Sequence, residues 1–323
     1  MTGVAVPVPP APMLPTPGRP PSCPEWVIEP KFDGARCASR IAAGRVELFS
    51  RYANNLSASF PEVVMGCAAL GDRGAILDGE IIVLDDKGRP NFQLLQRRLH
   101  VARPPKSLTT RLAARLVVFD ILYLDGQDLT RLSYRERRAA LEGLRVDELS
   151  PELATSPAWS GVDGREVLEA MADTGMEGIV SKAVTSRYQA GRRTRQWIKT
   201  PYRHSGHFAI GGYVPSRAPG APIGSVLVGA YDSSGALRYC GSISIGFSQQ
   251  ARRDLHARLS RIHRVSSPFR GIGHGGHDVG VCWVMPVVVG RIEYRGFTGR
   301  LRHAAWKGVV DVNATDVCLP EVR

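Results

Sequence analysis

Apolar positions in this chain follow two periods, and the balance between them shifts along its length. "RVELFSR" (45–51), "GAILDGEIIVLDD" (74–86) and "RLVVFDILYLDG" (115–126) read as strands, the last so continuously apolar that both of its faces should be buried. Helical spacing fits "PEVVMGCAAL" (61–70), "FQLLQRRL" (92–99), "SYRERRAALEGL" (133–144) and "REVLEAMADTG" (165–175). Ser133 and Glu136 stand at capping-box spacing, and Gly175 supplies a stop. "EGIVSKAV" (177–184) and "TRQWIKT" (194–200) return to strand. Beyond 201–206 the pattern becomes strand after strand with glycine-rich turns, at 207–214, 224–232, 236–246 and 281–294. One basic helical stretch, "SQQARRDLHARLSRIH" (248–263), interrupts them.

This order predicts an α+β protein in three parts. Residues 1–24 hold nine prolines and almost no charge, and read as an extended lead-in rather than a fold element. Residues 25–203 form a domain of antiparallel sheets with helices, and 204–323 a small β-barrel of the oligonucleotide-binding (OB) type. A length of 323 residues suffices for two cores. No apolar run approaches the ~20 residues of a membrane helix, and no secretion signal is visible. The six cysteines lie far apart without a C-x-x-C pair, which argues for reduced thiols in a cytoplasm and against zinc or disulfides. Residues 204–323 carry 14 Lys+Arg against 7 Asp+Glu, a net +7 of the chain's +12. Such an excess suits a polyanion partner, in the first place nucleic acid.

The candidate chemistry begins at "EPKFDGAR" (29–36), where Lys31 sits among acids, behind a proline and before a glycine. A nucleophilic lysine must lose its proton, and moving an amine from ~10.4 to ~7.5 asks a site for about 4 kcal/mol. Nearby carboxylates oppose that shift, so acids beside such a lysine make sense when they hold a metal ion or aim the amine. K-x-D-G by itself fits a surface turn better. "LDGE" (77–80), "FD" (119–120), "EGIVSK" (177–182) and "WIK" (197–199) add acids and lysines at strand ends in the same domain. Glu177 and Lys182 are an odd number of positions apart, so they share a pocket only if the strand twists or Glu177 precedes it, which Gly178 permits.

The ordered set "KFDGAR", "FSR", "LDGE", "VVFDILYLDG", "EGIVSK" and "WIK", followed by a basic barrel, resembles the ATP-dependent DNA ligases. "PMLPTPGRPP" before Lys31 and "GRLRHAAWKG" near the end are similar to the small bacterial end-joining ligases and the ligase module of bacterial ligase D. The resemblance implies a nucleotidyltransferase (adenylation) domain plus an OB-fold, using ATP with Mg²⁺ or Mn²⁺ to seal nicked or broken double-stranded DNA. Lys31 would become a lysyl–AMP, with Asp33 ordering its loop. Glu29 would meet the adenine edge, Phe119 the base, and Arg36 and Arg51 the ribose or phosphates and later the 5′-phosphate strand. Glu80 would hold ribose or metal, Glu177 the metal, and Lys182 and Lys199 the α-phosphate. The family further implies a monomer in the bacterial cytoplasm at the nucleoid, working beside a Ku-type end-bridging protein. The chain departs from the pattern in two places. Pro201 stands where relatives carry a second basic residue, with Arg203 the nearest substitute. "VVDVN" (309–313) replaces a terminal arginine–aspartate–lysine element, with Arg302 and Lys307 just upstream.

Plainer readings stand beside these. Phe119 in a buried strand also fits simple core, and "GHGGHD" (273–278) fits a flexible loop better than a metal site built on His274, His277 and Asp278. The basic stretch at 252–264 fits a solvated face or phosphate contacts, and Arg137 and Arg138 read as solvating charge on an exposed helix. The rival functions are an RNA ligase or capping-type nucleotidyltransferase, and a DNA-end-binding protein with impaired adenylation.

Overall fold

The computed structural model describes residues 5–21, 24–216, 220–271 and 280–320. His274, His277 and Asp278 lie outside the described residues. The chain divides into two compact units, Met1–Tyr202 and Arg203–Arg323.

The first unit is built on two sheets. One runs in the order β1 (Leu14–Pro17), β11 (Arg193–Pro201), β10 (Gly178–Ala183), β2 (Trp26–Lys31), β9 (Trp159–Ser160). The other runs β4 (Arg45–Ser50), β3 (Ala35–Ala42), β5 (Ala75–Val83), β6 (Ala114–Leu124), β7 (Gln127–Asp128), with β8 (Leu153–Thr155) parallel to β6. β6 is buried on both faces, as its composition requires. Leu116, Val118 and Ile121 enter the main core with α1 (Pro61–Ala68), α2 (Phe92–Leu99), α3 (Lys106–Arg111), α4 (Tyr134–Gly143) and α5 (Val146–Leu149) around it. Leu122 and Tyr123 join Met13, Ile76, Tyr188 and Trp197 in a second cluster that ties the two sheets together. The last helix, α6 (Gly164–Asp173), is capped by Asp163. Ser133 and Glu136 form the expected capping box on α4. Such a cap is worth about 1 kcal/mol.

Two expectations are corrected here. The proline-rich lead-in contains a strand: β1 pairs in parallel with β11, and Met13 is fully buried. Prolines are compatible with an edge strand, where a missing N–H faces outward. Arg137 is not a solvating charge but a fully buried one, paired with the equally buried Asp120. Its exposed appearance came from the helix alone; β6 supplies the partner.

The second unit is a sheet in the order β14 (Leu237–Ile243), β13 (Ile223–Tyr231), β12 (His204–Pro215), β16 (Val289–Tyr294), β19 (Ala305–Val310), with β15 (Cys282–Trp283) also on β12. The Trp306 N–H donates to the Ile245 carbonyl at 3.0 Å, which joins the outer strands in the manner of an OB barrel. β17 (Gly296–Phe297) and β18 (Leu301–Arg302) make a separate hairpin. The single strand expected at 281–294 is instead two, parted at 284–288, where Pro286 lacks an N–H for the ladder. The basic helix is α7 (Gln249–Leu259) with a 3₁₀ turn after it. Its Arg252 is not simply solvated, since it donates to the Gly224 and Ser244 carbonyls at 2.9 and 2.8 Å.

Candidate active site

The register of β2, β10 and β11 aligns the candidate residues in rows. Lys31 lies opposite Gly178, which lies opposite Pro201; Glu29 lies opposite Val180, which lies opposite Lys199; and Lys182 lies opposite Trp197. Opposed residues of an antiparallel pair share a face, so all of these side chains leave the sheet on one side. The second sheet adds Arg36 from β3, Glu80 from β5 and Phe119 from β6. Together they line a cavity of ≈ 190 Å³ with Glu29, Lys31, Arg51, Lys182 and Lys199.

At one end the Lys31 ammonium is paired with the Glu177 carboxylate. Glu177 precedes β10, as the odd spacing demands: its N–H donates to the Lys31 carbonyl at 3.1 Å and its carbonyl accepts from Tyr202 at 2.8 Å. Gly178 makes this possible, with φ +147° and only 2.2 Å between the place of an added Cβ and the Thr200 oxygen. The K-x-D-G glycine has a similar reason, since a Cβ on Gly34 would lie 2.4 Å from the Ile81 oxygen and 2.7 Å from Glu80 Cγ. The turn therefore lies directly on β5 and presents Lys31 over Glu80. Burial pushes the Glu80 carboxyl up to about 7, against the pull of Arg36 and Lys31 and with the support of Asp78 and Glu177. Asp33, half-buried in the same turn, is not part of the cavity wall.

At the other end Glu29 is 2 % exposed. Its Oε1 accepts from the Tyr134 hydroxyl and, at 2.9 Å, from Lys182 Nζ. Lys182 also donates to the Phe119 carbonyl at 2.9 Å, and its ammonium lies 4.6 to 4.8 Å from the ring centres of Phe119, Tyr134 and Trp197. Burial lowers its pKa, while Glu29 works in the opposite direction. The Lys182 ammonium thus lies at Glu29. Lys199 stands one row nearer Lys31. Arg36 grips Asp78 through two bonds of 2.6 Å and lies 4.5 Å from the Phe119 ring centre. Asp78 accepts a further bond from the Tyr188 hydroxyl at 2.6 Å. That carboxylate outweighs burial and raises the Arg36 pKa, so the guanidinium stays charged. Arg51 lines the cavity from the exposed end of β4.

Sequence reasoning missed Tyr134, Trp197, Asp78 and Tyr188. Trp197 could have been found, since it alternates with Lys199 in one strand; Tyr134 gave no local signal. In the second unit Arg203 and Arg302 are exposed, and Lys307 pairs with Glu293 at 2.9 Å.

Among the described residues no group of three or more His, Cys, Asp or Glu side chains could cage a metal. Glu177 and Glu80, both acting on Lys31, fit an ion held by one or two carboxylates with phosphate and water completing its shell, as Mg²⁺ prefers. An aromatic, enclosed end and a cationic end with one lysine facing carboxylates define a site for covalent nucleotidyl transfer.

Residues 22–200 match the ATP dependent DNA ligase domain, and residues 219–312 match the ATP dependent DNA ligase C terminal region. The chain belongs to the ATP-dependent DNA ligase family. It is 33% identical over 289 residues to the multifunctional non-homologous end joining protein LigD of Pseudomonas aeruginosa, covering 88% of this chain and 33% of that protein. With LigD of Mycobacterium tuberculosis the identity is 31% over 288 residues, covering 88% of this chain and 36% of the other. The chain thus spans about a third of the length of these relatives. Among solved structures, mycobacterial DNA ligase D complexed with ATP and MES superposes with a TM-score of 0.56 at 31% identity, over 95% of this chain and 97% of that one. The ligase domain of M. tuberculosis LigD gives 0.56 at 30%, over 96% and 98%.

Proposed function

We propose that this chain joins a 5′-phosphate to a 3′-hydroxyl in nicked or broken double-stranded DNA, at the expense of ATP, in end-joining repair. The first unit is the adenylation domain, and the second, basic unit grips DNA phosphates. The observation that carries this reading is the Lys31–Glu177 pair in a cavity walled by Glu29, Phe119 and Lys199. Lys31 Nζ attacks the ATP α-phosphate, pyrophosphate leaves, and the adenylate passes to the DNA 5′-phosphate before the 3′-hydroxyl displaces AMP. Phe119 stacks on the base, Glu29 receives its polar edge, and Lys199 and Arg36 face the phosphate and ribose. Asp33 orders the nucleophile turn. A divalent ion held by Glu177 and Glu80 would neutralise phosphate charge. In the cell, a monomer at the nucleoid would receive ends from a Ku-type bridging protein.

The test is formation of a labelled protein–AMP adduct from [α-³²P]ATP, followed by nick sealing. Lys31→Ala should abolish both, and Lys31→Arg should fail equally because guanidinium stays protonated. A wild-type adduct yield in either variant refutes the assignment. Preference for GTP, or for nicked RNA, would favour a capping-type enzyme or an RNA ligase.

A further inference from the structure

The segment ahead of Lys31 is extended by its composition, with six prolines in residues 7–17. Prolines fix φ and so lower the entropic cost of docking such a segment on the folded unit. They also leave few N–H groups for a ladder, and the seat of the segment comes from particular bonds. The tightest of these are at Met13, which is fully buried. Its N–H donates to the Tyr188 hydroxyl at 3.1 Å, and its Sδ accepts from the Gln189 N–H at 3.1 Å. The Tyr188 hydroxyl donates in turn to Asp78 Oδ2 at 2.6 Å, and the same oxygen accepts from Arg36 Nη2 at 2.6 Å. Arg36 Nη2 closes the ring on the Met13 carbonyl at 3.4 Å. On either side, the Ala11 carbonyl accepts from Gly191 at 2.8 Å and the Leu14 N–H donates to the Arg192 carbonyl at 2.9 Å.

This ring reaches the nucleotide cleft at two points. Arg36 lines the cleft as the cation of the ring, and Leu14 and Pro15, the next two residues of the segment, line it directly. Arg36 also borders a second cavity, of ≈ 460 Å³, walled in part by Val8 to Pro12, Asp78 and Tyr188. With open space on that side as well, packing alone does not fix the guanidinium; Asp78 and the Met13 carbonyl do. Tyr188 ties those two together, because its hydroxyl donates to Asp78 and accepts from Met13. Tyr188 is held in its turn: its N–H donates to the Thr130 carbonyl at 3.0 Å, and its ring stands edge-on to Trp197 at 5.8 Å. A segment serving only as a sheet edge would need ladder bonds and no tie to a cation of the cleft.

We propose that this proline-rich segment is a working wall of the nucleotide site, and that Tyr188 is the positioning residue that couples it to Arg36. The proposal rests on the ligase reading above and adds a part of the chain to its site. Tyr188 is not in the cleft lining; it acts through Arg36, Leu14 and Pro15. Without its hydroxyl, the buried Met13 N–H loses its acceptor and Asp78 loses a donor. A buried donor without a partner is costly, so the segment lifts toward water and takes Leu14, Pro15 and the Met13 carbonyl with it. The result is weaker ATP binding rather than slower chemistry, since neither Lys31 nor Glu177 belongs to the ring.

The experiment titrates α,β-methylene-ATP, which a lysine cannot cleave, into wild type, Tyr188→Phe, Arg36→Lys and the double variant, followed by calorimetry. Tyr188→Phe should weaken binding roughly 10-fold, the scale of one buried hydrogen bond. Its adduct-forming rate at saturating ATP should match that of wild type. Arg36→Lys keeps a cation at Asp78 but loses the fork, and adding Tyr188→Phe to it should weaken binding little further, because both act through one ring. Wild-type binding by Tyr188→Phe, or an equal loss in both backgrounds, overturns the proposal. Hydrogen exchange on wild type alone is an independent check: the analogue should slow exchange at Met13 and Leu14, and unchanged exchange there overturns the proposal too. Binding of the analogue by a wild type that forms no adduct from ATP would instead overturn the ligase reading.

Discussion

Removing the guanidinium of Arg137 should be among the most destabilising single changes in the first unit, although the residue lies in a helix that looks soluble. Its Nε and Nη2 meet the two Asp120 oxygens at 2.8 and 2.9 Å, and its Nη1 meets the Leu132 and Ser186 carbonyls at 2.8 and 3.0 Å. Both side chains are fully buried. In Arg137→Met, Asp120 keeps only a bond from the Ile121 N–H at 2.9 Å. A buried ion that loses its partner costs about 3–5 kcal/mol, a large part of the 5–15 kcal/mol typical of a whole domain. At about 2–4 °C per kcal/mol for a unit of this size, the thermal midpoint should fall by roughly 6–20 °C. Replacing both partners with apolar residues, as in Asp120→Leu with Arg137→Met, should recover most of that loss. Urea titration followed by tryptophan fluorescence, on the two single variants and the double, measures the coupling. A single variant within about 1 kcal/mol of wild type, or a double variant as unstable as the sum of the two singles, would refute the reasoning.

Two further outcomes follow from the carboxylates around Lys31. Glu177→Ala should lower the adduct-forming rate roughly 10²-fold, and excess Mg²⁺ should not restore it, because the carboxylate positions as well as attracts; full activity without divalent ion would contradict this. Glu80 is neutral below about 7 and ionised above it. The Mg²⁺ concentration giving half-maximal adduct formation should therefore fall as pH rises through about 7, and Glu80→Gln should flatten that dependence. An unchanged pH profile in that variant would remove Glu80 from ion binding.

How much of this was legible in the chain depended on how local each signal was. The helix at Tyr134–Gly143 carried its own start in Ser133 and Glu136, and the period of β6 announced a strand buried on both faces. Arg137 was misread because helical periodicity shows which side a residue takes but not what another strand places there. The strand at Leu14–Pro17 was invisible for a related reason: its prolines signal extension, while its partner lies far along the chain. The rows of the cleft were partly legible, since Trp197 and Lys199 alternate in one strand. That Lys182 pairs with Glu29 was not legible, because a motif gives spacing and not the register between strands. Pro201 is informative in both views: it falls in the row of Lys31, where a side chain without charge leaves Lys199 as the lysine of that strand facing the cavity.

The pairing of β1 with β11 also bears on how the protein is made. Thr16 bonds to the carbonyl of Thr194, 178 residues on, and Lys31 meets Glu177 146 residues on. During translation at ~5–20 residues per second, the segment bearing Lys31 must wait roughly 10–35 s for the strands that face it. Until then the apolar side of Trp26–Lys31 lacks its neighbours, and long-range pairing of this kind is slow to form even in a finished chain. A nascent chain stalled before Arg193–Pro201 therefore carries Lys31 but no cleft around it, so on the proposed ligase reading adenylation would wait until almost the whole first unit has been synthesised.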